Sequence, residues 1–441
     1  MKFLLRKPKK FRFISDDSRE DSKDCAFLVT QSSKKYLQQA KKNGFKDFLS
    51  PQELGEYLDL NLKIIGITGT NGKTTTAAMI YSILLDLGYK VGLLGTRGFF
   101  INEEQKRPKG LTTPSLLEIY SAIDEARLEK CEYFVMEVSS HSIVQNRIEG
   151  LTFALRILTN IASDHLDYHK TLENYIATKN SFFMNPNDKK LINKDEPKAQ
   201  YALPNTLTYG IESNATFSVK AYSLRNGIIA QIAYGKEEST LEATFFGKHN
   251  LYNALAAIGA IKILEDLPLE DIVAKLENFG GVKGRMQVVS EKPLVIVDFA
   301  HTEDGMEKIF ESFLHRKIVV IFGAGGDRDR LKRPKMGLCA ARYAHTIYLT
   351  SDNPRSENPR SILEEILSGI PEELRKKRNI YVEENRSLAI KRALENLQLD
   401  EVLLILGKGD ESYQIIGDKI LEFDDCKEVQ KYLKDKAFMG S

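Results

Sequence analysis

The stretch ITGTNGKTTT at 67–76 constrains this chain more than any other, because it falls between a β-rich run and a helical pattern. KIIGIT at 63–68 reads as a strand, and 73–87 as a helix with Ile80, Ile83, Leu84 and Leu87 on one face. Gly69 and Gly72, with Thr70 and Asn71 between them, let backbone N–H groups curl around phosphate oxygens. Lys73 places a cation on the β/γ-phosphates and Thr74 offers a hydroxyl to Mg²⁺. Thr75 follows at a helix N-terminus whose dipole favours anions. The strict GxxxxGK[ST] spacing is not met, since Ile67 stands at the first glycine position; a shorter loop opening at Gly69 is expected. A bare Gly-rich turn does not explain Lys and Thr together at a helix start. Kinases, GTPase switches and ATP-dependent ligases all use such loops, so the loop alone does not name a reaction.

Beyond the loop, short β-rich runs alternate with helical stretches, which predicts βαβ units and parallel sheet. KVGLLG (90–95), YFVMEV (133–138) and ALRILTNI (154–161) read as strands, with a helix near 115–129. Residues 206–247 differ: TFSVKAY, GIIAQIAY and STLEATFF read as antiparallel strands joined by RNG (225–227) and YGKE (234–237), and a helix at 250–264 follows. A second α/β stretch begins after Gly284, with LVIVDF (294–299), KIVVIFG (317–323), HTIYLTS (345–351), NIYV (379–382) and EVLLIL (401–406) as strands of a doubly wound sheet. The expected fold class is α/β in three domains: a small mixed module at 1–62, a central P-loop domain at 63–284 with mostly parallel sheet plus antiparallel strands, and a Rossmann-like domain at 285–441. A length of 441 residues suits that number at roughly 150 residues each.

Charge sets further bounds. Lys and Arg number 63 against 61 Asp and Glu, a net of +2, so no global field marks a nucleic-acid binder. No apolar run approaches the roughly 18–20 residues of a membrane span, and none of signal-peptide length follows the N-terminal MKFLLRKPKK. Cys25, Cys131, Cys339 and Cys426 lie far apart and form no CxxC pair. The expectation is a cytoplasmic protein, a monomer, with neither nucleic acid nor membrane as partner.

Further motifs follow the loop in order: EVSSH (137–141), TNIASDHLDYH (159–169), GKHNLYNALAA (247–257), GRM (284–286) and VDFAHT (297–302). With GTNGKTT they resemble the Mur ligase family over nearly the whole chain. LTTP (111–114), VQNR (144–147), GGDRD (325–329), DNPR (352–355) and GKGDE (407–411) resemble the branch that adds the third peptide residue to a UDP-muramoyl-dipeptide. The resemblance implies a UDP-binding first domain, a central ATPase domain and an amino-acid-binding third domain. It further implies ATP with two Mg²⁺ ions, and UDP-N-acetylmuramoyl-L-Ala-D-Glu and meso-diaminopimelate as substrates.

The residue chemistry fits an amide ligase on its own terms. Joining a carboxylate to an amine requires activation, which ATP supplies as an acyl phosphate. Glu137 ends a strand beside the loop, where a direct or supporting Mg²⁺ ligand belongs; alone it reads equally as a solvated carboxylate. By resemblance His165 binds a second Mg²⁺, and Lys179 is carbamylated by CO₂, turning a cation into an oxygen ligand. His141 and His169 read as supports. Asn250 and Asn253 lie one helical turn apart, and the resemblance assigns them to the adenine. It assigns Arg285 to phosphate and Asp298 to ribose, in a site completed by domain closure. Thr112, Thr113, Ser139, Gln145 and Arg147 match positions that hold the muramoyl-peptide; Ser18 and Arg19 match a uridine-contacting DSR motif. After DSR the family's usual Pro-Gly stretch is replaced by DSKDCAFLV.

Arg355 is the residue expected to choose the amino acid. An arginine binds a carboxylate through two parallel hydrogen bonds and repels an ammonium, and meso-diaminopimelate carries a distal carboxylate where lysine has none. In the family DNPR accompanies diaminopimelate, and Arg328, Asp352, Asn353, Pro354, Gly407 and Glu411 complete the site, Glu411 reading an ammonium. Asp410 stands where the family usually has His. A folylpolyglutamate-synthase-like ligase is the rival enzyme, and a nucleotide-regulated switch protein the rival from another class.

Overall fold

The computed structural model describes residues 2–5, 10–58, 60–225 and 227–439, with side chains considered up to 434. Asn226 of the expected RNG turn, part of the basic N-terminal run and the last two residues lie outside the described residues. Among the described residues no helix is long and apolar enough to cross a membrane.

The chain divides into two compact units, the first comprising Met1–Tyr222, Ala230–Leu241 and Leu251–Phe279. Its principal sheet has eleven strands. Lys63–Thr68 lies in the interior of that sheet, parallel to Leu155–Leu158 on one side and Tyr133–Glu137 on the other. Such a strand is covered on both faces, which is why KIIGIT is apolar throughout rather than alternating: only Lys63 is exposed. The helix Lys73–Asp86 follows after four residues and buries Ile80, Ile83 and Leu84, while Leu87 caps its end half-buried. Ser115 and Glu118 form a capping box that starts the helix Leu116–Leu128.

Two sequence expectations change here. ALRILTNI does not run as a strand to 161: Leu158 is its last strand residue, because Thr159 and Asn160 leave the sheet to bond the phosphate loop. Residues 206–247 are not wholly antiparallel either. Thr206–Gly210 extends the parallel array beside Lys190–Asn193, and Phe217–Ser223 pairs with it in parallel. The chain after residue 95 folds as two further antiparallel strands, Gly98–Ile101 and, at the sheet edge, Glu104–Arg107. Residues from the first 62 form a four-stranded sheet of their own, and Phe3, Leu5, Phe11 and Ile14 share a core with Leu116, Leu117 and Phe153.

The second unit comprises Ser223–Ile229, Glu242–Asn250 and Gly280–Ser441. Its six-stranded sheet runs Gln287–Glu291, Leu294–Asp298, Glu401–Leu406, Lys317–Phe322, Thr346–Leu349, Asn379–Val382, parallel except for the first strand. Helices pack on both faces, giving two separate apolar clusters, one around Phe310, Met336 and Ile366 and the other around Ala389, Ile390 and Val429. This is the doubly wound arrangement expected from the alternating pattern. A short ribbon, Tyr413–Ile416 with Lys419–Glu422, follows the last central strand.

Candidate active site

The phosphate loop is held from behind by the strand end that leaves the sheet. Asn71 N–H donates to Asn160 Oδ1 at 3.0 Å, and Asn71 O accepts from Thr159 Oγ1 at 2.6 Å and Asn160 Nδ2 at 3.0 Å. Thr70 Oγ1 donates to Ala162 O at 3.1 Å and pairs with the Tyr175 hydroxyl at 2.9 Å. Gly69 has φ +151°, and a Cβ there would stand 1.8 Å from Thr159 Oγ1, so no side chain fits. Gly72, at φ +84°, opens the helix. Lys73 Nζ donates to the carbonyls of Gly69 and Thr70, both at 2.8 Å, which folds the cation back over the loop.

Thr74 Oγ1 donates to Glu137 Oε2 at 2.9 Å, and Glu137 is 2% exposed. The same carboxylate accepts from Thr96 N–H at 2.8 Å and Thr96 Oγ1 at 3.1 Å. A hydroxyl and a carboxylate at hydrogen-bond distance, both beside a phosphate cradle, are the hard oxygen donors that Mg²⁺ takes. Gly95 allows this approach, since a Cβ would lie 2.2 Å from Glu137 Oε1. Among the described residues no group of three His, Cys, Asp or Glu side chains is arranged to hold a metal ion. Thr74 and Glu137 thus form one oxygen pair, while His165 and Lys179 belong to a second group with Lys73 and Asp164.

In that second group Lys179, on the helix Leu172–Ser181, is 1% exposed and donates to Gly69 O at 2.8 Å. Burial and the Lys73 cation push its ammonium well below the usual lysine range, against the weaker pull of Asp164. His165 has φ +52°, a left-handed conformation that a His adopts at a cost, and lies 3.4 Å from Asp164 Oδ2. Desolvation holds it below the ordinary imidazole value. His141 packs edge-on to His165 with ring centroids 4.9 Å apart, and buried His169 bonds Ser140 Oγ at 2.9 Å.

Four of the residues expected to bind the muramoyl-peptide form a connected chain of bonds. Thr113 Oγ1 donates to Glu137 O and accepts from Ser139 N–H, both at 2.9 Å. Arg147 Nη1 donates to Thr113 O at 2.7 Å, and its Nη2 reaches Gln145 Oε1 at 2.6 Å. Thr112 joins through Thr96 at 3.1 Å. Ser18 is buried, whereas Arg19 is exposed and held by Asp17 at 2.7 Å. Asn253 Oδ1 accepts from Thr76 Oγ1 at 3.2 Å, and Asn250 Nδ2 donates to Phe246 O at 2.9 Å.

In the second unit Asp298 accepts from Met286 N–H at 2.7 Å and Ala300 N–H at 2.6 Å, and burial pushes its carboxyl up. The Arg285 guanidinium lies 4.4 Å from the Phe299 ring centroid. Arg355, at φ +52°, donates from Nη1 to Gly326 O at 2.8 Å. No carboxylate lies within ion-pair distance of it among the described residues, so it is not the surface ion pair that a loop arginine usually makes. Gly325 lies under the guanidinium, where a Cβ would be 2.9 Å from Nη1. Asn353 Nδ2 donates to Glu411 Oε2 at 2.8 Å, and Gly407, at φ +112°, leaves room for Asp352 Oδ2. Pro354 lies in the same turn, its carbonyl against Gly326, and Arg328 is exposed beside Gly325.

The Mur ligase middle domain matches residues 67–261, and the Mur ligase glutamate ligase domain matches 284–409. The chain is 60% identical over 417 residues, 95% of both chains, to the UDP-N-acetylmuramoyl-L-alanyl-D-glutamate–2,6-diaminopimelate ligase of Wolinella succinogenes. It belongs to the Mur ligase family. A Helicobacter hepaticus ligase of the same description is 56% identical, covering 89% of this chain and 88% of its own. A solved structure so described superposes with a TM-score of 0.71 at 28% identity, over 98% of this chain and 96% of that one. Within this Mur ligase, sequence reasoning missed Thr96, Tyr175 and Lys408. Thr96 follows KVGLLG, the neighbour of the strand bearing Glu137, which is the signal that pointed to it. Tyr175 had none, because its hydroxyl meets Thr70 only through the fold.

Proposed function

We propose that this Mur ligase joins meso-diaminopimelate to the D-glutamyl carboxylate of UDP-N-acetylmuramoyl-L-Ala-D-Glu at the expense of ATP, in the cytoplasm, as a monomer making peptidoglycan precursors. The observation that carries the reading is Arg355: a half-buried guanidinium held by a carbonyl, with no carboxylate at ion-pair distance among the described residues. Its fork suits the distal carboxylate that distinguishes diaminopimelate from lysine. The activity in the names of the 60% and 56% identical relatives separates this reading from a folate-type ligase or a switch.

In this reading the D-glutamyl carboxylate attacks the γ-phosphorus, ADP leaves, and the diaminopimelate amine attacks the resulting acyl phosphate. The tetrahedral intermediate collapses to the amide and phosphate. Residues 69–75 cradle the phosphates through N–H groups, and Lys73 neutralises charge that develops in transfer. Thr74 and Glu137 would hold Mg²⁺, which offsets phosphate charge. Burial and the Lys73 cation favour the neutral amine of Lys179, the form that adds CO₂; its carbamate and His165 would serve the second ion. Asn250, Asn253, Arg285 and Asp298 take the nucleotide, and Thr112, Thr113, Ser139, Gln145 and Arg147 the muramoyl-peptide. Residues 1–62 act as a uridine module through Ser18 and Arg19, with 63–284 the ATP domain and 285–441 the amino-acid domain. There Arg328, Asp352, Asn353, Pro354, Gly407 and Glu411 surround Arg355.

The test is phosphate release with ATP, Mg²⁺ and the UDP-dipeptide, comparing meso-diaminopimelate with L-lysine. Turnover with diaminopimelate alone is expected, with discrimination on the order of 10⁴-fold that Arg355→Ala removes. Equal turnover with lysine overturns the Arg355 argument, and no turnover with either overturns the reaction.

A further inference from the structure

Lys408, the lysine of GKGDE, is wholly buried at 0% exposure. Its Nζ donates to Glu411 Oε2 at 3.1 Å and to Asn353 Oδ1 at 3.4 Å, and lies 5.6 Å from the Tyr413 ring centroid. Glu411 is its sole carboxylate at ion-pair distance among the described residues. The other fully buried cation nearby, Arg386, has a counter-ion of its own: two 2.7 Å bonds to Asp425, with a third at 3.0 Å to Leu406 O. Arg386 therefore secures the strand that precedes Gly407 without touching Glu411 or Asn353.

An ammonium taken out of water costs more than one pair usually returns, and an apolar side chain of similar volume would fill the same space. Here the polar reach of a buried lysine goes to two residues of the amino-acid site. Glu411 Oε2 accepts from both Lys408 and Asn353, while Oε1 takes no internal bond among the described residues.

We infer that Lys408 is a positioning residue for the amino-acid substrate. It fixes Glu411 and Asn353 in one arrangement and leaves Glu411 Oε1 for the ammonium of a zwitterionic amino-acid head. It also sets a positive charge against Glu411, beside the buried Asp352. This inference rests on the reading that the DNPR and GKGDE loops bind diaminopimelate.

The experiment compares Lys408→Met, Glu411→Gln, the double variant and Arg355→Ala by steady-state kinetics for all three substrates, alongside thermal melting. Lys408→Met is expected to raise the KM for diaminopimelate at least about 20-fold, with kcat and the other two KM values within about threefold. A residue acting through Glu411 is non-additive with it, so the double variant matches Glu411→Gln. A purely structural lysine would instead shift all three KM values together and add to Glu411→Gln; that result overturns the inference, whereas a lower melting temperature is expected in either case because Glu411 loses its buried partner. Should Lys408→Met fail to fold, the double variant leaves no unpaired buried ion. A diaminopimelate KM equal to that of Glu411→Gln then supports the role, and a further tenfold rise overturns it. If Arg355→Ala raises the diaminopimelate KM while Lys408→Met leaves it unchanged, only the Lys408 role fails. If Arg355→Ala also leaves it unchanged, the binding reading beneath it fails.

Discussion

Lys179, in the unit that carries the phosphate loop, and Lys408, in the carboxyl-terminal unit, are 1% and 0% exposed, yet their surroundings differ in kind. Lys179 meets a carbonyl oxygen and faces the Lys73 cation, with no carboxylate at ion-pair distance among the described residues. Lys408 meets Glu411. The same contrast extends outward. Around the phosphate loop, side chains bond mainly to backbone carbonyls and N–H groups, which fixes a cradle and leaves charge to be supplied by a ligand. Around DNPR and GKGDE two buried cations meet carboxylates, Lys408 with Glu411 and Arg386 with Asp425, while buried Asp352 and half-buried Arg355 make no ion pair among the described residues. Burial alone therefore does not say what a lysine does; the partner it meets decides.

Removing the loop cation tests the first half of that contrast most severely. Lys73→Ala is expected to lower phosphate release roughly 10²–10³-fold, because the cation that folds back over the loop carbonyls is lost. An activity loss below about tenfold would break the assignment.

Breaking a matched pair addresses the second half. Arg386→Met strands Asp425, which is 0% exposed, and should destabilise by about 3–5 kcal/mol in urea unfolding. Lys179→Met, in contrast, should stabilise the protein in CO₂-depleted buffer at neutral pH, although it loses activity. Because burial lowers the folded amine's value, the unfolded chain holds the Lys179 proton more tightly than the folded chain, so wild-type stability rises with pH up to the free amine's value near 10.5. The advantage of Lys179→Met should accordingly shrink as pH climbs from 7 toward 10. A destabilised Lys179→Met variant, or a gap that widens with pH, would mean the amine is charged in the fold. Labelled bicarbonate should give a carbamate signal in wild type that Lys179→Met lacks. The smallest effect belongs to Arg19→Ala: exposed and paired only with Asp17 among the described residues, it should leave the urea unfolding midpoint unmoved.

The parts of the fold that depend on a few neighbouring residues were legible in the chain. The strand–loop–helix at 63–86 and the five parallel strands of the second unit fall close to where alternation and apolar runs put them. The last strands at one end of the sheet were harder: Glu104–Arg107 carries charge on the open edge, and Gly98–Ile101 beside it is only four residues long. The early end of Leu155–Leu158 was equally hidden, because Thr159 and Asn160 have sheet-like neighbours in sequence and loop partners in space.

The amino-acid sequence by itself determined the phosphate loop, the helix behind it and the presence of an arginine in DNPR, because turn chemistry and periodicity act over a handful of residues. Only the tertiary structure decided which buried charges are paired. Lys179 meets Gly69 across 110 residues, and Lys408 meets Asn353 across 55. Desolvation and Coulomb energy depend on what surrounds a group in space, and at those separations the folded chain alone supplies it.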